Sequence, residues 1–264
     1  MLKINNVTKA FNLTGNKEDI KIALNDLSLT INDGDFITVI GGNGSGKSTL
    51  MNIISGTLKP DNGTIYLNDE NITKLKEYKR AKYLGRVFQD PMVGSASNMS
   101  IIENLEIAYR RGKRHGLKWG FKKENKELFI KELKDFDLNL ENRLTQKVGL
   151  LSGGQRQALT LLMATLNKPK ILLLDEHTAA LDPKTAHKVL EITNKIVNEN
   201  KLTTLMITHN MNDAIKYGNR LIMLDSGKVI LDVSGKEKEN LTVETLLEKF
   251  KNTQSILTDK LILG

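Results

Sequence analysis

The sequence predicts an α/β fold in which strands and helices alternate around a sheet and an α-rich segment interrupts them. Short β-type runs separated by turn residues fill the first third of the chain, and helical periodicity replaces them over residues 100–136. Alternation of helix and strand returns after Ser152. Because the 264 residues include only 4 Pro and no low-complexity linker, we expect one composite domain.

Each predicted strand is an apolar or alternating run bounded by turn residues. These strands cover residues 2–7, 22–31, 36–40, 64–67, 171–174 and 203–207. Helices are predicted from Lys47, over residues 155–166, from Asp182-Pro183 and, as a short amphipathic segment, over residues 241–250. Within the α-rich segment, one candidate buried helix face consists of Ile102, Leu105, Ile107 and Ala108.

Composition limits the class of protein. A hydrophobic fraction of 39% is enough for a sizeable core, and no apolar run approaches the roughly 20 residues that cross a bilayer. The first residues are too polar for a secretory signal, so we expect the protein to stay in the cytoplasm. With 0 Cys, disulfides, thiolate metal sites and cysteine nucleophiles are excluded.

The formal net charge of +8 predicts an anionic partner, either nucleic acid, a phospholipid surface or phosphorylated ligands. Most of the excess falls between Tyr109 and Lys126, where eight Lys or Arg residues stand against Glu124 alone, beside Trp119 and Phe121. Two interpretations of this basic segment stay open, a solvated loop and a contact with anionic lipid headgroups.

A phosphate-binding motif follows the predicted strand at residues 36–40 and precedes a predicted helix. It reads Gly41-Gly42-Asn43-Gly44-Ser45-Gly46-Lys47-Ser48. The four glycines are expected to adopt positive φ, so that backbone N–H groups face phosphate oxygens. Lys47 is expected to reach the β- and γ-phosphates, and Ser48 to offer a hydroxyl to Mg²⁺. A nucleotide with Mg²⁺ is therefore the expected ligand, with Thr49 as a further contact, and the loop alone leaves kinases, GTPases and motor ATPases open.

Two carboxylates, Asp175 and Glu176, end the fully apolar run at residues 171–174. Such a strand is buried on both faces of a sheet, and ligands of open α/β sheets bind at its carboxyl end. Asp175 is expected to hold Mg²⁺, and Glu176 to orient or deprotonate the water that attacks the γ-phosphate.

The run Leu151-Ser152-Gly153-Gly154-Gln155, together with the two nucleotide motifs, resembles the signature of ATP-binding cassette (ABC) ATPases. The resemblance covers residues 1–232 and implies a P-loop NTPase (RecA-like) core, an antiparallel β subdomain and an inserted α-helical subdomain. It implies a core of residues 1–88 and 160–232, a helical subdomain of residues 89–159 and a tail of residues 233–264. Ser152, Gly153, Gly154 and Gln155 are expected to complete the nucleotide site of an opposite subunit in a head-to-tail dimer.

Four more positions match the family pattern one at a time. Phe11 resembles the aromatic that stacks on adenine, although a core phenylalanine is an open alternative. Gln89 resembles the glutamine that touches Mg²⁺ and reports the nucleotide state to the membrane subunit. Asp182 matches the loop that crosses to the partner ATPase and is also a helix N-cap, and His209 resembles the histidine that contacts the γ-phosphate.

His177 departs from the family pattern, which usually has Pro at this position. Of two alternatives, a side chain that perturbs Glu176 and one that points to solvent, we expect the second. The segment from Asp175 to Asp182 resembles the corresponding segment in ATPases of bacterial importers that work with a lipoprotein and a separate permease. Some of those importers transport aromatic amino acids. The resemblance therefore implies a transport ATPase at the cytoplasmic face of the membrane, with a permease, a second ATPase copy and an extracellular lipoprotein as partners.

Two other functions stay open at this point. One is an ABC exporter of a lipid, peptide or drug, because an ATPase chain does not select the transported ligand. The other is an ABC ATPase that acts on nucleic acid or the ribosome, as the basic charge suggests. The single cassette and short helical insert favour transport, and no nucleic-acid partner is expected.

Overall fold

The computed structural model of the chain describes residues 1–12, 19–113 and 123–250. The described strands are β1 Leu2–Asn12, β2 Ile20–Ile31, β3 Phe36–Gly41, β4 Asn62–Leu67, β5 Glu70–Asn71, β6 Leu84–Val87, β7 Ile171–Asp175, β8 Thr204–Ile207, β9 Arg220–Asp225 and β10 Lys228–Ser234. The helices are α1 Lys47–Ser55, α2 Glu77–Arg80, α3 Ile101–Tyr109, α4 Lys123–Lys134, α5 Gly153–Thr165, α6 Pro183–Asn200, α7 Met211–Lys216 and α8 Gly235–Glu239. Residues 243–250 form a further helical segment, here named the C-terminal helix.

Two sheets build the α/β fold, which confirms the predicted class. A four-stranded antiparallel sheet has the order β2-β1-β4-β5. A six-stranded sheet has the order β10-β9-β3-β8-β7-β6, in which all neighbours are parallel except β10 and β9. Because β3, β7 and β8 are parallel neighbours, their carboxyl ends meet at one edge of the sheet, where ligands of such sheets bind.

The α-rich segment between β6 and β7 contains α3, α4 and α5. In it α3 packs on both α4 and α5, and these helices share one hydrophobic core with the sheet. Ser100 caps α3 through a reciprocal capping box with Glu103. The buried face of α3 consists of Ile101, Leu105 and Ala108. Ile107 is 56% exposed, so the predicted face is wrong at that position. No helix in the described ranges is long and apolar enough to cross a membrane.

A buried arginine closes the C-terminal end of α1. Arg80 is 1% exposed, and burial lowers its pKa to about 10. Its Nη1 donates hydrogen bonds to the carbonyl oxygens of Ile53 and Ile54 at 2.7 and 2.8 Å. Its remaining N–H groups donate to the carbonyls of Thr73 and Leu75. One side chain therefore satisfies helix-end and loop carbonyls that would otherwise be buried without donors.

We expect Arg80→Met to lower the free energy of unfolding by about 3 kcal/mol, because several buried carbonyls lose their donors at once. Urea denaturation followed by circular dichroism measures this loss. The matched control is Lys79→Met on the same helix, where the replaced side chain is exposed. Equal losses for the two variants would mean that the buried hydrogen bonds of Arg80 contribute nothing specific to stability.

Candidate functional site

The phosphate loop, residues 41–48, connects β3 to α1 at the carboxyl edge of the six-stranded sheet. Gly41 has φ 152° and Gly46 has φ 105°, values that favour glycine. A Cβ on Gly41 would lie 2.2 Å from the carbonyl oxygen of Leu224, so the loop packs backbone against backbone. The expectation of positive φ is wrong for Gly42, which has ordinary backbone geometry and a different environment described below.

Lys47 begins α1 and is 5% exposed. Its Nζ donates hydrogen bonds to the carbonyl oxygens of Gly41 at 2.9 Å and Gly42 at 3.0 Å. Burial lowers the pKa of Lys47, while the nearby carboxylates of Glu176 and Asp175 oppose that shift. A charged ammonium is thus held between the loop backbone and two acids, where a polyanion would add favourable charge interactions.

A cavity of about 500 Å³ opens beside the phosphate loop, a volume within the usual range for small-molecule sites. The described residues that line it are Phe11, Lys21, Ala23, Asn43, Gly44, Ser45, Gly46, Lys47, Ser48, Thr49, Gln89, Asp175, Glu176 and His209. The cavity therefore collects residues that are far apart in the sequence. Phe11 is only partly buried and stands on the wall of the cavity, outside the core clusters of the described residues.

The cavity wall carries polar groups that suit a nucleotide with Mg²⁺. Ser45 Oγ is buried and has no hydrogen-bond partner among the described residues, so it is available to a ligand on the cavity wall. Ser48, Gln89 and Asp175 bring a hydroxyl, an amide and a carboxylate to the same cavity. Oxygen donors of this kind are what Mg²⁺ takes, usually few from the protein with others from phosphates. The residues present fit both ligands.

Asp175 is the last residue of β7 and forms an ion pair with Arg86 of β6, at 3.1 Å between Oδ2 and Nη2. Arg86 also donates hydrogen bonds to Asn52 Oδ1 and Ser55 Oγ of α1. It therefore links the acidic strand end to the helix that follows the phosphate loop. Sequence reasoning missed Arg86, although a lone arginine inside an apolar parallel strand was a visible signal.

Glu176 and His209 form a close pair at the ends of neighbouring strands. Asp175 lies opposite Ile207 in the parallel register of β7 and β8, so the residues that follow each strand converge. Glu176 Oε1 lies 2.6 Å from His209 Nε2. Glu176 has φ 48°, a left-handed conformation that is rare for a residue with a side chain, and its N–H donates to the carbonyl of Ile207. The imidazole can therefore donate a hydrogen bond to the carboxylate at the cavity edge.

The signature segment, residues 151–155, lies away from this cavity. Ser152 caps α5 through a reciprocal capping box with Gln155. Gly154 faces α6 so closely that a Cβ would lie 2.1 Å from Thr185 Cγ2. Asp182 caps α6, and its Oδ1 accepts the N–H of Thr185 at 3.1 Å. Two helix N-termini therefore stand side by side, and no residue from the signature segment or Asp182 belongs to the described cavity lining.

His177 is buried at 2% exposure, so the expectation that it points to solvent is wrong. Its Nε2 lies 3.1 Å from Thr193 Oγ1, and that hydroxyl donates its own proton to the carbonyl of Val189. His177 therefore donates to Thr193 from a protonated Nε2. Burial lowers the pKa of His177 to about 4, so the ring is neutral near pH 7. The side chain joins the acidic strand end to α6.

Two residues that line the cavity were not predicted from the sequence, because neither belongs to a recognisable motif. Lys21 pairs with Phe11 across β1 and β2, and its Nζ would lie 3.3 Å from a Cβ on Gly44. It thus adds a positive charge between the aromatic wall and the phosphate loop. Ala23 closes the wall beside it, with its carbonyl 2.4 Å from the place of a Cβ on Gly46.

The predicted basic segment is described only at its two ends, and residues 114–122, with Trp119 and Phe121, lie outside the described residues. Arg110 pairs with Glu106 at 3.5 Å. Arg111 Nη2 donates to the carbonyl of Ala164, and burial lowers the pKa of Arg111. These two cations therefore bind within the protein, and for the rest of the segment both alternatives, a solvated loop and a contact with lipid headgroups, stay open.

Comparison with known proteins shows the family to which the chain is similar. A family profile described as ABC transporter matches residues 24–179. The tyrosine transport ATP-binding protein of Clostridioides difficile (strain R20291) is 52% identical over 252 residues, which are 95% of this chain and 99% of that protein. The energy-coupling factor transporter ATP-binding protein EcfA2 of Ligilactobacillus salivarius (strain UCC118) is 36% identical over 82% of this chain and 73% of its own length.

A solved structure of the cassette MJ0796, in a dimeric post-hydrolysis state with ADP and phosphate, superposes with a TM-score of 0.76. It is 32% identical and covers 89% of this chain and 98% of its own chain. That cassette comes from Methanocaldococcus jannaschii.

Proposed function

Because the chain belongs to the ABC transporter family of ATP-binding proteins, we propose that it drives an importer of an aromatic amino acid, with tyrosine as the first candidate. As a member of this family it binds ATP and hydrolyses it for a transporter. The observation that carries the importer proposal is 52% identity over 95% of the chain to a protein named for tyrosine transport. Direction and substrate are the proposed part.

In the proposed nucleotide site, adenine stacks on Phe11, and Lys21 supplies positive charge between the base and the phosphates. The glycines and Asn43, Ser45 and Thr49 of the loop region surround the phosphates with backbone N–H groups and hydroxyls. Lys47 leaves the loop carbonyls to bind the β- and γ-phosphates. Its position between two acids and the loop supports this role.

Glu176 acts as the general base for the attacking water, and His209 holds its carboxylate and contacts the γ-phosphate. The 2.6 Å contact between Glu176 Oε1 and His209 Nε2 supports that pairing. Ser48, Gln89 and Asp175 would hold Mg²⁺, which when bound neutralises charge on the phosphates. Arg86 keeps Asp175 fixed to the sheet and to α1.

Two copies of the chain, or this chain and a homologous ATPase, bind head to tail around two ATP molecules. Ser152, Gly153, Gly154 and Gln155 of one copy then contact the nucleotide held by the other, and Asp182 crosses between them. Their place outside the described lining of their own cavity supports this arrangement. A helix N-terminus such as that of α5 favours a phosphate ligand.

The dimer docks on an integral-membrane permease at the cytoplasmic face of the membrane and works with an extracellular lipoprotein that delivers the amino acid. Gln89, at the end of the strand that leads into the helical insert, reports the nucleotide state to the permease. The similarity of residues 175–182 to ATPases of importers that work with a lipoprotein supports the lipoprotein as a partner.

The test is co-purification of the tagged full chain from its native membrane, followed by identification of the permease and lipoprotein. We expect the lipoprotein to bind tyrosine, phenylalanine or tryptophan, with leucine as the non-aromatic control. Vesicles that contain the whole complex should then accumulate the bound amino acid in the presence of ATP. The complex with Glu176→Gln should not.

Three outcomes would contradict the proposal. Absence of aromatic amino acid binding to the lipoprotein removes the substrate class. Transport of a lipid, peptide or drug from the cytoplasmic side to the extracellular side of the membrane would make the complex an exporter. Tight, salt-sensitive binding of nucleic acid without any permease would place the chain among the non-transport ATPases.

A further inference from the structure

The backbone at Glu176 is held in a strained conformation. Glu176 has φ 48°, in the left-handed region that residues with a side chain rarely adopt. Its N–H donates a hydrogen bond to the carbonyl of Ile207 at 3.2 Å, and its carbonyl accepts the N–H of Ala179 at 2.9 Å. A conformation of this kind persists only where the surrounding structure fixes it. The groups next to Glu176 are therefore candidates for holding it in place.

The next residue, His177, fixes the same stretch of chain through its side chain. Its Nε2 donates to Thr193 Oγ1 at 3.1 Å, and both side chains are buried. The hydroxyl of Thr193 in turn donates its proton to the carbonyl of Val189 at 2.8 Å, so its oxygen is held as the acceptor for the imidazole. One hydrogen bond thus ties the residue that follows Glu176 to the middle of α6.

Helix α6 is a firm anchor for this hydrogen bond. Leu190 and Val197 of α6 are 5% and 2% exposed and belong to the same apolar cluster as Leu174 of β7, the strand that ends directly before Glu176. The helix and the strand therefore share one packed core. A shift of Thr193 relative to the strand end would require repacking of that core.

We propose that His177 positions Glu176 for its role as the base. Glu176 lines the cavity and lies 2.6 Å from His209, whereas His177 is outside the described lining and acts only through the chain. Without the bond to Thr193 the backbone can relax from the left-handed conformation, which moves the carboxylate relative to the attacking water. A displacement of about an ångström is enough to slow a reaction strongly. The proposal rests on the function proposed above for Glu176 and makes His177 a positioning residue.

The experiment separates the hydrogen bond from the volume of the two side chains, in the full chain. Thr193→Val keeps the shape of the side chain and removes the acceptor, whereas Thr193→Ser keeps the hydroxyl. His177→Leu removes the donor, whereas His177→Gln keeps a neutral N–H donor. Phosphate release by the whole transporter complex gives kcat and KM, calorimetry gives the Kd for ATP, and circular dichroism gives Tm.

The matched control is Thr165→Val on α5. Thr165 is 8% exposed, and its hydroxyl donates to the carbonyl of Leu161 at 2.9 Å, four residues earlier in the helix. Thr193 makes the equivalent bond to Val189. The control variant therefore loses a buried helix hydroxyl of the same kind without losing a contact with a histidine.

We expect Thr193→Val and His177→Leu to lower kcat by about 10-fold, while KM and the Kd for ATP stay within about two-fold of the wild type. The groups that bind ATP keep their places, and only the base is displaced. Thr193→Ser and His177→Gln should restore kcat to within about three-fold of the wild type. Thr165→Val should keep its kcat even where its Tm falls as far as that of Thr193→Val. If His177→Leu does not fold, Thr193→Val carries the test.

A role in packing alone predicts a different result. In that case Thr193→Val and Thr165→Val lower Tm and have the same kcat, which would overturn the proposal. Failure of both Thr193→Ser and His177→Gln to restore kcat would overturn it as well. If Glu176→Gln abolishes hydrolysis and Thr193→Val does not slow it, Glu176 stays the base and the positioning role falls. If Glu176→Gln itself hydrolyses ATP at near-normal rates, both proposals fall.

Discussion

The Glu176→Gln variant is expected to bind ATP about as well as the wild type and to hydrolyse it at least about 100-fold more slowly. The amide has nearly the same size as the carboxylate, so the pocket and the contact with His209 keep their geometry. It cannot accept a proton from the attacking water. Phosphate release by the whole transporter complex measures the rate, and calorimetry on the isolated chain measures ATP affinity.

The chain offers a matched control for this substitution. Glu191 of α6 also pairs with a histidine, at 3.4 Å from His187 Nδ1, but both side chains are more than half exposed and outside the described cavity lining. Glu191→Gln therefore removes a carboxylate next to an imidazole without touching the proposed site. Hydrolysis at near-normal rates in Glu176→Gln, or an equal loss in Glu191→Gln, would remove Glu176 from the role of base.

Glu176→Gln should also trap the closed dimer. If two ATP molecules join two copies and only hydrolysis separates them, a chain that binds without hydrolysing stays dimeric. Size-exclusion chromatography with ATP and Mg²⁺ should show a dimer for Glu176→Gln and mostly monomer for the wild type after turnover. A second variant, Glu176→Gln with Ser152→Arg, places bulk and charge at the exposed α5 N-terminus and should stay monomeric.

Local patterns account for what the sequence could predict. The phosphate loop follows an apolar strand and precedes a helix, and the acidic pair ends another buried strand, so both lie where parallel strands finish. Ser152 and Asp182 are followed by helical residues and act as N-caps. In each case the interactions that determine the local structure lie within a few residues of the motif. The sequence alone is therefore enough to predict that structure.

Interactions across elements account for what the sequence could not predict. His177 is buried because α6 covers it and Thr193, sixteen residues away, accepts its proton. Arg86 meets Asp175 only because β6 and β7 are neighbours in the sheet. Ile107 is exposed because the real face of α3 is set by its packing on α5, which shifts the buried set to Ile101, Leu105 and Ala108. None of these partners is visible from spacing.

The glycines of the phosphate loop include both correct and wrong predictions. The motif predicts that all four adopt positive φ, and Gly41, Gly44 and Gly46 do. Gly42 does not, and its surroundings contain only the tip of Phe250 within 4 Å of the place of a Cβ. The motif therefore contains one glycine whose side-chain space is open and three that the backbone requires.

We expect Gly46→Ala to lower kcat/KM for ATP hydrolysis by about 100-fold, because a shift of the loop by an ångström is enough to misplace the phosphates. Gly46 has φ 105° and ψ 0°, a conformation that L-residues rarely adopt. A Cβ there would lie 2.4 Å from the carbonyl oxygen of Ala23 and 2.9 Å from Leu24 Cδ2. Since the first obstacle is backbone, the loop and the start of α1 must move.

Gly42→Ala, in the same loop, is the matched control. Its backbone conformation suits any residue, and the new methyl group would meet Phe250 Cζ at 3.8 Å, so kcat/KM should stay within about two-fold. Circular dichroism and urea denaturation check that both variants fold. Equal activities would mean that the loop does not depend on the Gly46 conformation. A large loss in Gly42→Ala would instead mean that hydrolysis depends on the open space beside Gly42.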